Sequence, residues 1–250
     1  MLGALMDAAA ELNRSQICPE DLVRTCESIV TTVEKLGFKI LLDPLKRSQE
    51  IGRGFSSRVF LVSRPDGSKA ALKIRRARSK RDSLALEGYI LELLMGSYIA
   101  PRVFSYGDDY ILMEYISGIS VGRAFELFKR GAIDDPYLRS AISSTLKALH
   151  ILDSLGIDHL EIGDPREHII FHHGIPYAVK IIDFESATLK PYPSNLPRFI
   201  GGFILRKASW IFGVDIEEIL EMMRIYKKDH VMRGYIVNRL VEAISIKKPF

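Results

Sequence analysis

Apolar residues recur along this chain in two rhythms, and the change from one to the other divides it. Over residues 19–36, Leu22, Cys26, Ile29, Val33 and Leu36 fall at alternating steps of four and three, the spacing of one helix face. Pro19 suits the first turn of that helix and Gly37 its C-terminal stop. Phe38 to Leu42 reads as a strand. From about Glu50 to Glu114 the rhythm becomes that of strands. Val59–Val62 and Ala71–Ile74 flank a Pro65-Asp66-Gly67-Ser68 turn, and Val103–Tyr106 and Tyr110–Met113 flank Gly107-Asp108-Asp109, giving two hairpins. Between them residues 82–96 read as a helix, with Leu86, Ile90, Leu93 and Leu94 on one side.

Beyond Ser117-Gly118 the helical rhythm returns. Ser120 and Gly131 bracket a short helix. Asp135-Pro136 opens a longer one, with Leu138, Ile142, Thr145, Leu149 and Leu152 on one face and Gly156 at its end. Asp215 caps a third, striped by Ile216, Ile219, Leu220 and Met223, and a last helix runs from about Val231 to Ile244. There is no internal repeat.

Composition narrows the classes. A chain of 250 residues, 47% apolar and 26% charged, can bury a core as one domain or two lobes. No apolar run approaches the ~18–20 residues of a membrane span, so no membrane partner is expected. The N-terminus meets Asp7 early and lacks a basic region, so no signal peptide is expected. Cys18 and Cys26 fall in one helical segment and form no metal or disulfide pattern, which points to a reducing, cytoplasmic home. The net charge of +4 is concentrated in Arg75-Arg76-Ala77-Arg78-Ser79-Lys80-Arg81. That run allows an RNA or ribosome contact, but it lacks interleaved aromatics for base stacking and reads better as a solvated loop.

Lys73 and Asp183 carry the chemistry. Lys73 lies in the β-run Ala70–Ile74 and points away from the face of Leu72 and Ile74, either toward solvent or into a cleft that holds an anion. Before it, Gly52-Arg53-Gly54-Phe55-Ser56-Ser57 can bring backbone N–H groups against phosphates. Glu87, fourteen residues after Lys73, can pair with it; Glu92 is the competitor. Asp183 ends the apolar run Val179–Ile182, where a carboxylate can bridge a metal ion to phosphate oxygens.

The ordered series resembles the protein-kinase superfamily over roughly residues 50–245: Gly-x-Gly-x-x-Ser-x-Val from Gly52, Ala71-Leu72-Lys73, the helix glutamate, Met113-Glu114-Tyr115, His159, then Ile181-Ile182-Asp183-Phe184. It is most similar to atypical RIO-like and lipopolysaccharide-kinase-like archaeal proteins, including predicted serine/threonine kinases, down to Asp183–Ala187 and Pro193-Ser194-Asn195. The resemblance implies an α+β, two-lobed protein-kinase-like fold with a small antiparallel β-sheet lobe carrying one helix and a reduced, mostly helical C-lobe. The expected organisation is an N-terminal helical extension over residues 1–47, packed on the small lobe, with an N-lobe over 48–116 and a C-lobe over 117–250. It implies an ATP phosphotransferase of atypical serine/threonine protein kinase type, using ATP with Mg²⁺ or Mn²⁺ and acting on an unidentified protein or small-molecule acceptor. Gly52, Gly54, Ser56, Lys73, Glu87, Glu114, Tyr115 and Ile116 would hold the nucleotide, and Asp183 the metal.

The chain departs from the kinase pattern at its catalytic loop. In His159-Leu160-Glu161-Ile162-Gly163-Asp164-Pro165-Arg166-Glu167-His168, Glu161 takes the place of the catalytic aspartate, with Asp164 as its rival. His168 takes the place of the metal-binding asparagine, which favours one metal or Mn²⁺, since Mg²⁺ prefers oxygen. Glu185 stands where kinases have glycine. If the strand continues past Asp183, it shares that residue's face and adds a second metal carboxylate, or it pairs with an arginine. His172-His173 reads as a hairpin turn. No Ala-Pro-Glu follows Asp183, and Pro191, Pro193 and Pro197 interrupt the stretch after it, so no general peptide groove is expected. Ser79 and Ser83 are candidate self-phosphorylation sites. A nucleotide-binding scaffold that transfers nothing and an ATPase-like factor on an RNA or ribosomal assembly are the alternatives.

Overall fold

A computed structural model describes residues 18–43, 47–213 and 215–245. Residues 1–17 and 44–46 of the expected extension therefore lie outside the described residues. The chain is α+β and divides into two compact units. One runs up to Met95 and includes Arg102–Tyr115; the other comprises Gly96–Pro101 and the chain from Ile116 onward.

The first unit is built on one antiparallel sheet. Strands β1 (Lys39–Ile40), β2 (Glu50–Arg53), β3 (Ser57–Ser63), β4 (Lys69–Arg75), β5 (Val103–Tyr106) and β6 (Tyr110–Glu114) are ordered β1-β3-β4-β6-β5, with β2 also on β3. The β3–β4 register pairs Val59 with Lys73, and β4–β6 pairs Lys73 with Ile111. Strand alternation then sends Phe60, Val62, Ala70, Leu72, Ile74 and Leu112 to one face, where Cys26, Ile29, Val30 and Val33 of the helix Cys26–Lys35 cover them. Lys73 faces the other way.

Three sequence expectations change here. The N-terminal helix starts at Cys26, not near Pro19, because the preceding residues pair with the end of β4 and the residues just after it. Val23 N–H donates to Arg75 O, Ala77 N–H donates to Asp21 O, and Leu22 bridges to Arg76. Cys18 and Cys26, read as unpaired, form a disulfide across that strap. In the helix Ala85–Leu93 the buried residues are Glu87, Gly88, Ile90 and Leu91, while Leu86 and Leu93 are exposed. Turning Glu87 inward rotates the face read from the leucines.

In the second unit, β7 (Gly118–Ser120), β9 (Ile169–His172) and β10 (Val179–Ile181) form an antiparallel sheet in the order β10-β9-β7, and β8 (Ile157–Asp158) pairs with β11 (Thr188–Leu189). Helices cover them. Ser120 caps Val121–Lys129, and Asp134 caps Asp135–Ser154 by accepting from Tyr137 N–H. The expected stripe of that long helix is buried throughout, from Leu138 to Leu152. Gly156, at φ +75°, turns the chain out of it. Asp215 accepts from the Glu217 and Glu218 N–H groups to start Ile216–Lys228, whose buried side is Ile219, Met222, Met223 and Tyr226, with Ile216 and Leu220 exposed. Arg233–Ser245 closes the described chain. Residues Ile200–Ala208 form a π-helical stretch that the sequence reading did not foresee. No described helix is long and apolar enough to cross a membrane.

Candidate functional site

In the first unit the candidate residues gather around β4. Lys73 Nζ donates to both Glu87 carboxylate oxygens, at 3.0 and 2.8 Å, and each side chain is only 4% exposed. Of the two helix glutamates, Glu87 is therefore the partner; Glu92 accepts from Tyr106 Oη instead. Gly88 makes the approach of this helix feasible, since a Cβ there would lie 2.3 Å from the Tyr106 ring.

The glycine turn joins β2 to β3, closed by Gly54 N–H donating to Ser57 O at 2.9 Å. A Cβ on Gly52 or Gly54 would meet nothing in the protein nearer than 3.5 Å. The fold itself does not demand glycine at either place. Ser56 is buried and Phe55 exposed at the tip. Glu114 ends β6, with an oxygen accepting from Arg102 N–H, and the chain passes from one unit to the other between Tyr115 and Ile116. The basic run beside β4 is partly neutralised: Arg75 pairs with Asp109, and Arg76 pairs with Asp21 while donating to Gly54 O.

In the second unit the β9–β10 hairpin does the positioning. Its register sets Ile169 opposite Ile181, so His168 and Ile182 follow as neighbours and Ile182 N–H donates to His168 O. Asp183 comes next, in the left-handed region at φ +62°. The reversal there ends the strand, and Phe184–Ser186 coil into a 3₁₀ turn. Asp183 and Glu185 therefore do not share a strand face, which removes the reason to count Glu185 as a second metal carboxylate.

Donor atoms of Glu161, His168 and Asp183 all lie within 4.8 Å of one another, and they are the one such group among the described residues. His168 Nε2 is 3.6 Å from Glu161 Oε2, and Ser186 Oγ donates to Glu161 Oε1 at 2.8 Å. Asp164, the rival base, is bound at 2.7 and 2.6 Å by Arg166 and at 3.3 Å by Lys207. These cations, Arg166 foremost, hold its carboxyl far below the ordinary range, so it is a poor proton acceptor. His172 ends β9 and His173 enters the hairpin turn, and both meet Ser117.

The loop is pinned from beneath. His159 is fully buried, and burial depresses its basicity, so the ring is neutral and its Nε2–H donates to Ile182 O at 3.0 Å. That bond fixes the peptide entering Asp183. His159 N–H in turn donates to Asn195 Oδ1, whose amide nitrogen donates to Asp153 Oδ1 and Ile157 O. Asp153 also accepts from Tyr226 Oη; its burial raises its pKa against these hydrogen bonds. Asp158 is buried too, which would raise its pKa, but Arg198 and Lys190 reverse the shift and hold it below the ordinary range. The π-helical stretch packs against this loop, since a Cβ on Gly202 would lie 2.5 Å from Gly163 O. Of these supports His159 and Asn195 carried a sequence signal, in the kinase-like series and in Pro193-Ser194-Asn195. Asp153 and Ser186 were not singled out, because their partners are far away in the chain.

No family model matches the chain. It is 34% identical over 146 residues to the Bacillus subtilis (strain 168) protein named "Putative serine/threonine-protein kinase YrzF". The match covers 56% of this chain and 62% of that protein, so the chain spans less than two thirds of its relative. With the buried lysine–glutamate pair and the strand-end aspartate, that likeness supports a kinase-like relationship.

Proposed function

We propose that the chain is an ATP-dependent phosphotransferase of atypical serine/threonine kinase type, with a protein-kinase-like fold. The observation that carries this reading is the Lys73–Glu87 pair, buried at 4% exposure behind an open glycine turn. Burying two charges is costly, and an ammonium fixed at mid-strand serves a polyanionic nucleotide. Gly52 and Gly54 leave room at the turn for its phosphates, and Lys73 contacts them while Glu87 holds it in place.

Asp183 and His168 would hold the divalent cation. The Asp183 carboxylate and the His168 imidazole suit a single ion, and the nitrogen donor favours Mn²⁺ over Mg²⁺. Once bound, such an ion neutralises the negative charge of the transferring phosphoryl group. Glu161 accepts the proton of the attacking hydroxyl, since Asp164 is committed to Arg166 and Lys207. The chemistry is positioning and charge stabilisation.

The test is transfer of labelled γ-phosphate from ATP with Mn²⁺ or Mg²⁺, comparing wild type with Asp183→Ala and Lys73→Met. The expected result is stronger transfer with Mn²⁺ and a loss of roughly 100-fold or more in each variant. A wild-type protein that turns over no nucleotide with either ion would overturn the proposal.

A further inference from the structure

The hydroxyl group held against Glu161 belongs to the chain itself. Ser186 Oγ donates to Glu161 Oε1 at 2.8 Å, the reach a general base needs toward the proton it removes. The fold imposes this contact. The left-handed Asp183 reverses the chain, Phe184 buries its ring, and Ala187 N–H donates back to Phe184 O. Ser186 is delivered to Glu161 beside the Asp183 carboxylate, where the proposed ion and its phosphate would meet.

Other candidate serines are engaged differently. Ser83 Oγ donates to Asp108 and accepts the Ala85 N–H at the start of a helix. Ser79 Oγ accepts from Arg81 N–H. Ser83 also meets a carboxylate, but Asp108 is not one of the clustered Glu161, His168 and Asp183 donors.

On the phosphotransferase reading above, we infer that Ser186 is the acceptor of an intramolecular phosphorylation, with Glu161 as base. The Ser186 Oγ–H proton passes to the Glu161 carboxylate, and Oγ forms a bond to the γ-phosphorus of a nucleoside triphosphate. The bond from that phosphorus to the oxygen bridging to the β-phosphate breaks, releasing the nucleoside diphosphate. The product phosphate carries close to two negative charges and lies beside Glu161 and Asp183. Repulsion and occupancy then limit the reaction to about one phosphate per chain.

The experiment uses the full chain with labelled ATP and Mn²⁺, followed by mass-spectrometric mapping of the phosphorylated residues. The expected result is phosphoserine at position 186, approaching about one per chain, with a first-order rate independent of protein concentration. Ser186→Ala should lose this label, and Ser186→Thr should regain it as phosphothreonine. Phosphate on other residues with Ser186 unmodified overturns the inference and leaves the phosphotransferase reading standing, as does free phosphate without labelled protein. A rate that rises with protein concentration overturns the intramolecular step. Absence of both label and nucleotide turnover overturns the inference and the phosphotransferase reading together.

Discussion

Separating the structural from the chemical role of the Lys73–Glu87 pair requires removing its charges one at a time and then together. Both side chains are 4% exposed and joined by bonds of 3.0 and 2.8 Å. Glu87→Leu or Lys73→Met alone breaks the buried pair, which costs about 3–5 kcal/mol. The double variant removes both charges and keeps most of the buried side-chain volume of the pair. It should return to within about 1 kcal/mol of wild type, because an apolar pair of similar size usually replaces a buried ion pair at little cost. Urea unfolding followed by circular dichroism gives the three differences and their coupling energy. Phosphate transfer should behave differently, remaining absent in both single variants and in the double. Single variants that lose less than about 1 kcal/mol would refute the buried-pair argument, and a double variant that transfers phosphate would refute the chemical role.

Three further outcomes are expected. Asn195→Ala strips the His159 N–H and the Ile157 carbonyl of their partner, so unfolding free energy should fall by about 2–4 kcal/mol; a loss under about 1 kcal/mol would count against the pinned loop. Glu50, bound chiefly by Arg53 and also by Arg58, has its pKa lowered from 4.5 to about 2. Its contribution is present above pH 4.5 and lost as pH falls through about 2, worth about 1–2 kcal/mol after solvent screening. Glu50→Gln should flatten that limb of an acid titration, and an unchanged limb would show that Glu50 is not its source. Reducing the Cys18–Cys26 disulfide removes a short loop constraint worth about 2–3 kcal/mol. Faster amide exchange over residues 21–23 on reduction is the readout; unchanged exchange would mean the strap holds without it.

What the sequence revealed, and what it hid, follows from the range of the interactions. The two hairpins were legible because alternation and turn residues are local, and they placed Lys73 on the face away from Leu72 and Ile74. The Cys26–Lys35 helix was legible, but its start was not, because Asp21 and Val23 bond the end of β4 and the residues just after it, more than fifty residues away. The disulfide was hidden for the same reason, since two cysteines eight positions apart look helical until the strap unwinds the chain between them. In the helix Ala85–Leu93, hydrophobicity pointed to Leu86 and Leu93, whereas the pairing of Glu87 with Lys73 decided which face turns inward. Glu185 followed from assuming that a strand persists; one left-handed residue ended it.

The loop from His159 to His168 is better understood as a built arrangement than as a worn-down one. Leu160 at φ +65° and Asp183 at φ +62° both adopt a backbone that side chains disfavour, at a cost of order 1–3 kcal/mol each. Such strain persists only where surrounding bonds over-determine it. Here they do: the His159 ring fixes the carbonyl before Asp183, its N–H is fixed by Asn195, and Asn195 is fixed by Asp153. The strain falls on Leu160, next to Glu161, and on Asp183 itself, beside the three clustered donor side chains. The support beneath the loop and the strain within it thus serve one geometry, in which a carboxylate, an imidazole and a strand-end aspartate meet beside a serine hydroxyl.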